Sequence, residues 1–318
     1  MSASEFDLIR QYFTASTDAR ADVALGIGDD CALLRAAPGE ALAVSMDTLV
    51  EGRHFAVGTD PQALGHKALA VNLSDLAAMG ARPAWATLAL TLPSADEQWL
   101  GAFMAGFSAL ARQHGVQLVG GDTTRGPLSI TVQVHGFVPE DKALRRAAGR
   151  AGDRLFVSGT LGDAALALQY ARAQKPLEPS LQARLDRPTP RIELGLLLAG
   201  RARAAIDVSD GLVADLGHVC TASGVGARIE LARLPLSASV AAVCAGGDWS
   251  APLAGGDDYE LLFSVAPEQA DAARRRCVDG GHAVQEIGRL TDQAGIELIY
   301  PDGQASTEIP DGFDHFRS

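Results

Sequence analysis

The chain has 318 residues, of which 47% are hydrophobic and 21% charged, and a formal net charge of −12. That length accommodates two ordinary domains, and the composition is that of a folded globular protein. The acidic balance argues against nucleic acid or an anionic membrane as partner, since both need clustered lysine and arginine.

The first residues, Met1-Ser2-Ala3-Ser4-Glu5-Phe6-Asp7, lack the basic-then-apolar order of a signal peptide. The longest apolar runs, such as 84–92, are too short to span a bilayer, so a cytoplasmic protein is expected. Cys31, Cys220, Cys244 and Cys277 have no close spacing and read as buried thiols, not as a zinc site or a disulfide framework.

In chain order, a short helix is predicted over 5–14. The glycine-rich turn Gly26-Ile27-Gly28-Asp29-Asp30-Cys31 then leads into an apolar strand, and residues 41–47 form a second strand ending at Asp47. Asp60-Pro61 reads as an N-cap with proline at the first helical position, and Gly80 as the residue just past the helix end. Both faces of that helix are apolar, so it is predicted to be buried. It carries Asp75, and a buried carboxylate needs a cation or a shifted pKa. A salt bridge from elsewhere in the chain and a metal ion are the two ways to meet that need.

A strand is predicted over 83–92, an amphipathic helix over 95–114, a short strand over 116–119 running into Gly120-Gly121-Asp122-Thr123-Thr124-Arg125-Gly126, and a last strand over 128–138. Small residues at 147–152 mark a break, giving expected domains at 1–148 and 149–318. The second half opens with a strand over 154–158 and a helix over 163–173. A rigid proline-marked connection spans 176–190, followed by a helix, a strand over 204–207 and a helix over 212–223. Strands over 226–231 and 259–265, a helix over 267–279, and strands near 284–290 and 296–300 complete it. The fold class is therefore α+β with two sheet-containing domains.

Aspartates cluster at element ends beside glycine, serine or threonine: Asp29, Asp30, Asp47 and Asp122 in the first half, then Asp207-Val208-Ser209-Asp210-Gly211 and Gly255-Gly256-Asp257-Asp258 in the second. Each alone is more often an Asx-turn or a cap. Together they are the oxygen ligands that Mg²⁺ takes, next to glycines that let main chain and phosphate approach. A dinucleotide fingerprint is rejected, because Gly26-Ile27-Gly28 continues into two acids and a cysteine, and no Walker-type phosphate loop is present. Arg146 is the best-placed phosphate cation, with a solvated Arg145-Arg146 pair as the alternative.

The runs Gly26–Leu33, Lys67–Gly80, Gly120–Gly126 and Ile206–Leu212 resemble those of the thiamine-monophosphate kinase family, within the superfamily of aminoimidazole ribonucleotide synthetase. The likeness extends from about Glu5 to Phe316. It implies an N-terminal domain that dimerises through its sheet, a C-terminal α/β domain, and transfer of the ATP γ-phosphoryl group to thiamine monophosphate, giving thiamine diphosphate. By family position, several Mg²⁺ ions are held by Asp30, Ser45, the Met46 main chain, Asp47, Asp75, Asp122, Asp207 and Asp210, and a monovalent cation is admitted. Gly121, Asp122, Arg146 and Ser209 contact ATP, while His54, Asp257 and Phe313 line the thiamine phosphate pocket. Two departures stand out: Met46 where a hydroxyl residue is usual, so that only its carbonyl is offered, and Asp257 where glutamate is common.

A phosphate monoester has a second pKa of about 6, so the attacking oxygen is already anionic and no general base is needed. The obstacle is anion–anion repulsion, which divalent cations relieve. The competing expectations are an ATP-dependent synthetase or ligase that releases inorganic phosphate, and a non-catalytic nucleotide-binding regulator. A phosphohistidine route is less favoured. Selenophosphate synthesis lacks the expected reactive cysteine and lysine near the start, and hydrogenase maturation lacks a terminal cysteine after Phe316-Arg317-Ser318.

Overall fold

The computed structural model describes residues 5–14, 16–36 and 38–310. The fold is α+β, with contacts that separate into one unit of residues 1–76 and 81–140 and another of residues 77–80 and 141–318. No helix among the described residues is long and apolar enough to cross a membrane.

In the first unit, α1 (Glu5–Leu8) runs into a wider π-helical turn, and β1 (Val23–Leu25) pairs with β2 (Leu33–Leu34). A four-stranded sheet follows, built from β3 (Ala41–Val50), β4 (Arg82–Leu92), β5 (Gln117–Arg125) and β6 (Ser129–Val138) in the order β3-β6-β4-β5. β6 is antiparallel to both its neighbours, whereas β4 and β5 are parallel. A parallel pair needs a crossover, and α3 (Glu97–Gln113) supplies it, capped by Asp96 accepting from the Trp99 amide.

Between β3 and β4 runs α2 (Pro61–Ala78), the helix of Asp75. Asp60 caps it as predicted, accepting from the Ala63 amide at 2.9 Å. Nearly every residue of α2 is buried, but Asp75 itself is half-buried, which corrects the expectation of an acid sealed from water. Two glycines set how closely the helices approach: a methyl on Gly65 would run into the Phe103 carbonyl, and one on Gly106 into the Gln62 carbonyl. α2 and α3 therefore touch backbone to backbone at that crossing.

β5 is longer than predicted, continuing past Val119 through Gly120-Gly121-Asp122-Thr123-Thr124-Arg125. Gly-Gly reads as a turn in isolation, but here it lets β5 lie against β4: Gly121 has φ +153° and a side chain there would drive into the Leu88 carbonyl.

The second unit is a seven-stranded mixed sheet with helices. Its elements are β7 (Arg154–Ser158), α4 (Asp163–Arg172), α5 (Pro179–Asp186), α6 (Ile192–Leu198), β8 (Ala204–Val208), α7 (Leu212–Ser223) and β9 (Gly226–Glu230), then α8 (Ala238–Ala245), α9 (Ser250–Ala254), β10 (Glu260–Val265), α10 (Ala270–Asp279), β11 (Val284–Thr291), β12 (Ile296–Ile299) and β13 (Ala305–Ser306). The strand order is β13-β12-β9-β11-β7-β10-β8. Leu155, Val157, Ile206, Leu212, Leu216 and Leu262 anchor its main core, and Phe156 stacks on Phe263 at 5.5 Å. The proline-marked connection contains a helix, with Pro179 at its first position, and α8 and α9 lie in a stretch where the sequence reading placed no helix.

Cys220, Cys244 and Cys277 are buried as expected, but Cys31, expected to be buried too, is exposed. The glycine turn that carries it never enters a core. Burial pushes the Cys220 thiol up to about 11.

Candidate active site

The predicted site residues fall into three groups. The first lies where α2 meets β3. Ser45 Oγ donates to Asp75 Oδ2 at 2.5 Å, and the Asp47 amide donates to Asn72 Oδ1 at 3.0 Å. Asn72 in turn donates to the Ala68 carbonyl, so its carboxamide is fixed one turn before Asp75. Asn72 covers part of the open edge of β3, which an edge strand requires. Because the Asp47 amide points out of that edge, strand alternation turns the Met46 main chain toward β6, opposite Gln133. The Met46 side chain is 60% exposed. At the end of β3, His54 Nδ1 accepts from the Val50 amide at 3.0 Å.

The second group lines a cavity of 440 Å³ in the first unit. Gly28, Asp29, Asp30 and Cys31 face it from the glycine-rich turn, and Gly120, Gly121 and Asp122 from β5. Its apolar wall includes Phe13, Ile27 and Leu118. Asp29 Oδ1 accepts from the Asp30 amide at 2.8 Å, which fixes the turn between the two carboxylates.

The third group belongs to the second unit. Asp207 is buried on β8, and Ser209-Asp210-Gly211 leads into α7. Gly211 has φ +112°, and a side chain there would strike the main chain of Ala254. Asp215, in the first turn of α7, accepts from the amides of Ser209 and Asp210 at 3.0 and 3.1 Å. Burial, and then the neighbouring Asp210 charge, push the Asp215 carboxyl up to about 7, while Arg146 acts in the opposite direction. Ser209, Asp210 and Arg146 thus share one electrostatic neighbourhood. Asp257, with φ +69°, donates its amide to the Ser209 carbonyl at 2.9 Å. Phe313 lies outside the described residues.

The fold brings Ser45 to Asp75, and Asp30 to Gly121 and Asp122, but it separates those two groups within one copy. β3 and β5 are opposite edges of their sheet, three strand spacings or about 14 Å apart. Among the described residues no three His, Cys, Asp or Glu side chains converge as a metal cage. Asn72 and Asp215, which orient the acids, were not singled out from the sequence. Asp215 carries a local signal, being an acid in the first turn after a glycine-led helix start.

Comparison with known proteins gives the family. The profile of the AIR synthase related protein, N-terminal domain, matches residues 28–138, and that of the AIR synthase related protein, C-terminal domain, matches residues 150–301. The thiamine-monophosphate kinase of Salmonella typhimurium is 46% identical over 99% of both chains. The crystal structure of thiamine-monophosphate kinase from Stenotrophomonas maltophilia K279a superposes with TM-score 0.87 at 48% identity, covering 96% of this chain and 99% of that one. A structure of AaThiL complexed with AMPPCP and TMP superposes with TM-score 0.77 at 33% identity, covering 88% and 89%. With its two AIR synthase related domains and near-complete coverage of these relatives, the chain belongs to the thiamine-monophosphate kinase family.

Proposed function

We propose that this chain transfers the γ-phosphoryl group of ATP to the phosphate of thiamine monophosphate, producing ADP and thiamine diphosphate. The observation that carries this reading is the cavity walled by Asp29, Asp30, Asp122 and glycine main chain, with no lysine or arginine among the described residues of its lining. A polyphosphate is admitted to such a cavity only together with cations. The donor set fits Mg²⁺, because Asp30, Ser45, Asp47, Asp75, Asp122, Asp207 and Asp210 offer carboxylate and hydroxyl oxygens alone. Bound Mg²⁺ ions supply the positive charge that offsets repulsion between donor and acceptor phosphates. A monovalent cation suits the same oxygens.

The side chains bind and orient. Gly121 and Asp122 meet the nucleotide, and Arg146 and Ser209 contact its phosphates. His54 and Asp257 face thiamine monophosphate, whose cationic ring suits a carboxylate, and the resemblance assigns Phe313, outside the described residues, to the same substrate as an aromatic partner. The acceptor oxygen is already anionic at neutral pH, so no side chain has to take its proton.

A homodimer formed through the first sheet belongs to this reading. Leu42, Val44 and Met46 are 46%, 53% and 60% exposed and lie on one face of β3, a row that water does not favour. The division of labour is then metal, nucleotide and dimer contacts in residues 1–148, completed by residues 149–318.

The test is to incubate the chain with Mg-ATP and thiamine monophosphate and follow ADP and thiamine diphosphate. Equal amounts of both support a kinase. Inorganic phosphate without diphosphate indicates a ligase-type activity, and binding without turnover indicates a regulator. A labelled acid-labile phosphoenzyme would replace direct transfer by a phosphohistidine route.

A further inference from the structure

The segment from Gly255 to Glu260 holds two non-glycine residues in left-handed backbone, Asp257 at φ +69° and Tyr259 at φ +51°. An aromatic residue there is an outlier, and it persists only where the surroundings over-determine it. Here they do. The Asp257 amide donates to the Ser209 carbonyl at 2.9 Å and the Tyr259 amide to the Val208 carbonyl at 2.8 Å. Between them Asp258 is 1% exposed, and both its oxygens accept from the Gly162 amide, at 3.0 and 2.9 Å. Immediately after, the fully buried Glu260 accepts from Arg184 at 2.9 Å and from Arg191 at 2.6 Å.

The two interior acids pin the segment and leave Asp257, half-buried, beside Ser209. The Tyr259 ring is buried, and its hydroxyl donates to Asp257 Oδ1 at 2.9 Å. A hydrogen bond to a carboxylate is among the stronger ones, and it fixes a side chain that otherwise rotates about two bonds.

We propose that Tyr259 is a positioning residue: its hydroxyl sets the orientation in which the Asp257 carboxylate meets the cationic ring of thiamine monophosphate. This rests on the reading of Asp257 as a substrate contact. The unusual backbone at Asp257 and Tyr259 is then what turns both side chains onto each other, and the pinned acids at 258 and 260 keep it so.

The test uses the full chain with steady-state kinetics in both substrates. Tyr259→Phe removes one oxygen and keeps the ring. The expected result is a KM for thiamine monophosphate raised about tenfold, with kcat within about twofold and the KM for ATP and the thermal midpoint unchanged. Asp257→Asn raises the same KM, and the double variant is no worse than the more affected single one, because the two residues act as a unit. If Asp257→Asn raises the KM and Tyr259→Phe does not, the positioning role falls while the substrate contact stands. If Asp257→Asn leaves that KM unchanged, the substrate contact falls and the positioning role falls with it. A lowered thermal midpoint, or equal loss toward ATP, in Tyr259→Phe assigns the hydroxyl to the fold and overturns the proposal.

Discussion

Two sets of acids, one in each unit, live under opposite conditions. In the second unit Asp153, Asp258 and Glu260 are at most 1% exposed. Arg203 pairs with Asp153 at 2.7 Å, Arg184 and Arg191 pair with Glu260, and the Gly162 amide serves Asp258. In the first unit Asp29, Asp30 and Asp122 are exposed around a cavity, and among the described residues no arginine or lysine pairs with any of them. Closed acids matched by guanidinium groups hold a fold together. Acids that face a cavity without such partners are the ones that the proposed reading gives to a cation.

The largest effect is expected outside that cavity, at the half-buried acid where α2 meets β3, in Asp75→Asn. The amide still accepts from Ser45 and keeps the shape, but it is a poor ligand for Mg²⁺. Turnover is expected to fall by on the order of a hundredfold or more, with the urea midpoint unmoved. Wild-type rates would return Asp75 to the structural class. Glu260→Gln is the mirror experiment. It leaves Arg184 and Arg191 facing a neutral group in the interior, and the unfolding free energy is expected to drop by about 3 kcal/mol in urea titrations.

Asp258→Asn tests the closed class by pH. Burial raises the Asp258 carboxyl well above 3.8, assisted by Glu260 and Asp163 and opposed by the Gly162 amide and Arg184. The folded state therefore holds a proton that the unfolded chain releases. The resulting stability is complete below 3.8 and is lost as pH rises through the folded value. Urea midpoints measured from pH 5 to pH 8 should fall less steeply in Asp258→Asn than in the wild type, and equal slopes would remove Asp258 from this account. The smallest effect sharpens the open class. Cys31, exposed and lining the cavity, should react with a thiol reagent well before Cys220, Cys244 and Cys277, and Mg-ATP should slow it. Labelling of Cys31 that ignores nucleotide would place ATP elsewhere.

Local signals in the sequence were sufficient for much of the scaffold. Asp60-Pro61 and Gly80 bound α2, and residues 212–223 are helical as their pattern requires. What local pattern does not carry is the partner. Gly120-Gly121 is a turn by composition and a strand because β4 lies beside it. Residues 238–245 are small and apolar without a helical stripe, so α8 gave no signal. The Ser45–Asp75 contact joins residues 30 apart, and Arg191 meets Glu260 across 69 residues, distances that no motif encodes. The acids of the site were legible as residue types at element ends. Their grouping into an α2–β3 pair, a cavity set and a loop held by Asp215 needed the fold.

The glycine contact between α2 and α3 reaches further than its size suggests. Gly65 and Gly106 determine how deep α2 lies, and Asp75 rides on the same rigid rod about 15 Å farther along. One methyl at either glycine would prise the rods apart and lift the carboxylate away from Ser45. Two hydrogen atoms at a crossing well away from Ser45 thereby act as the fulcrum on which the Asp75 carboxylate is balanced.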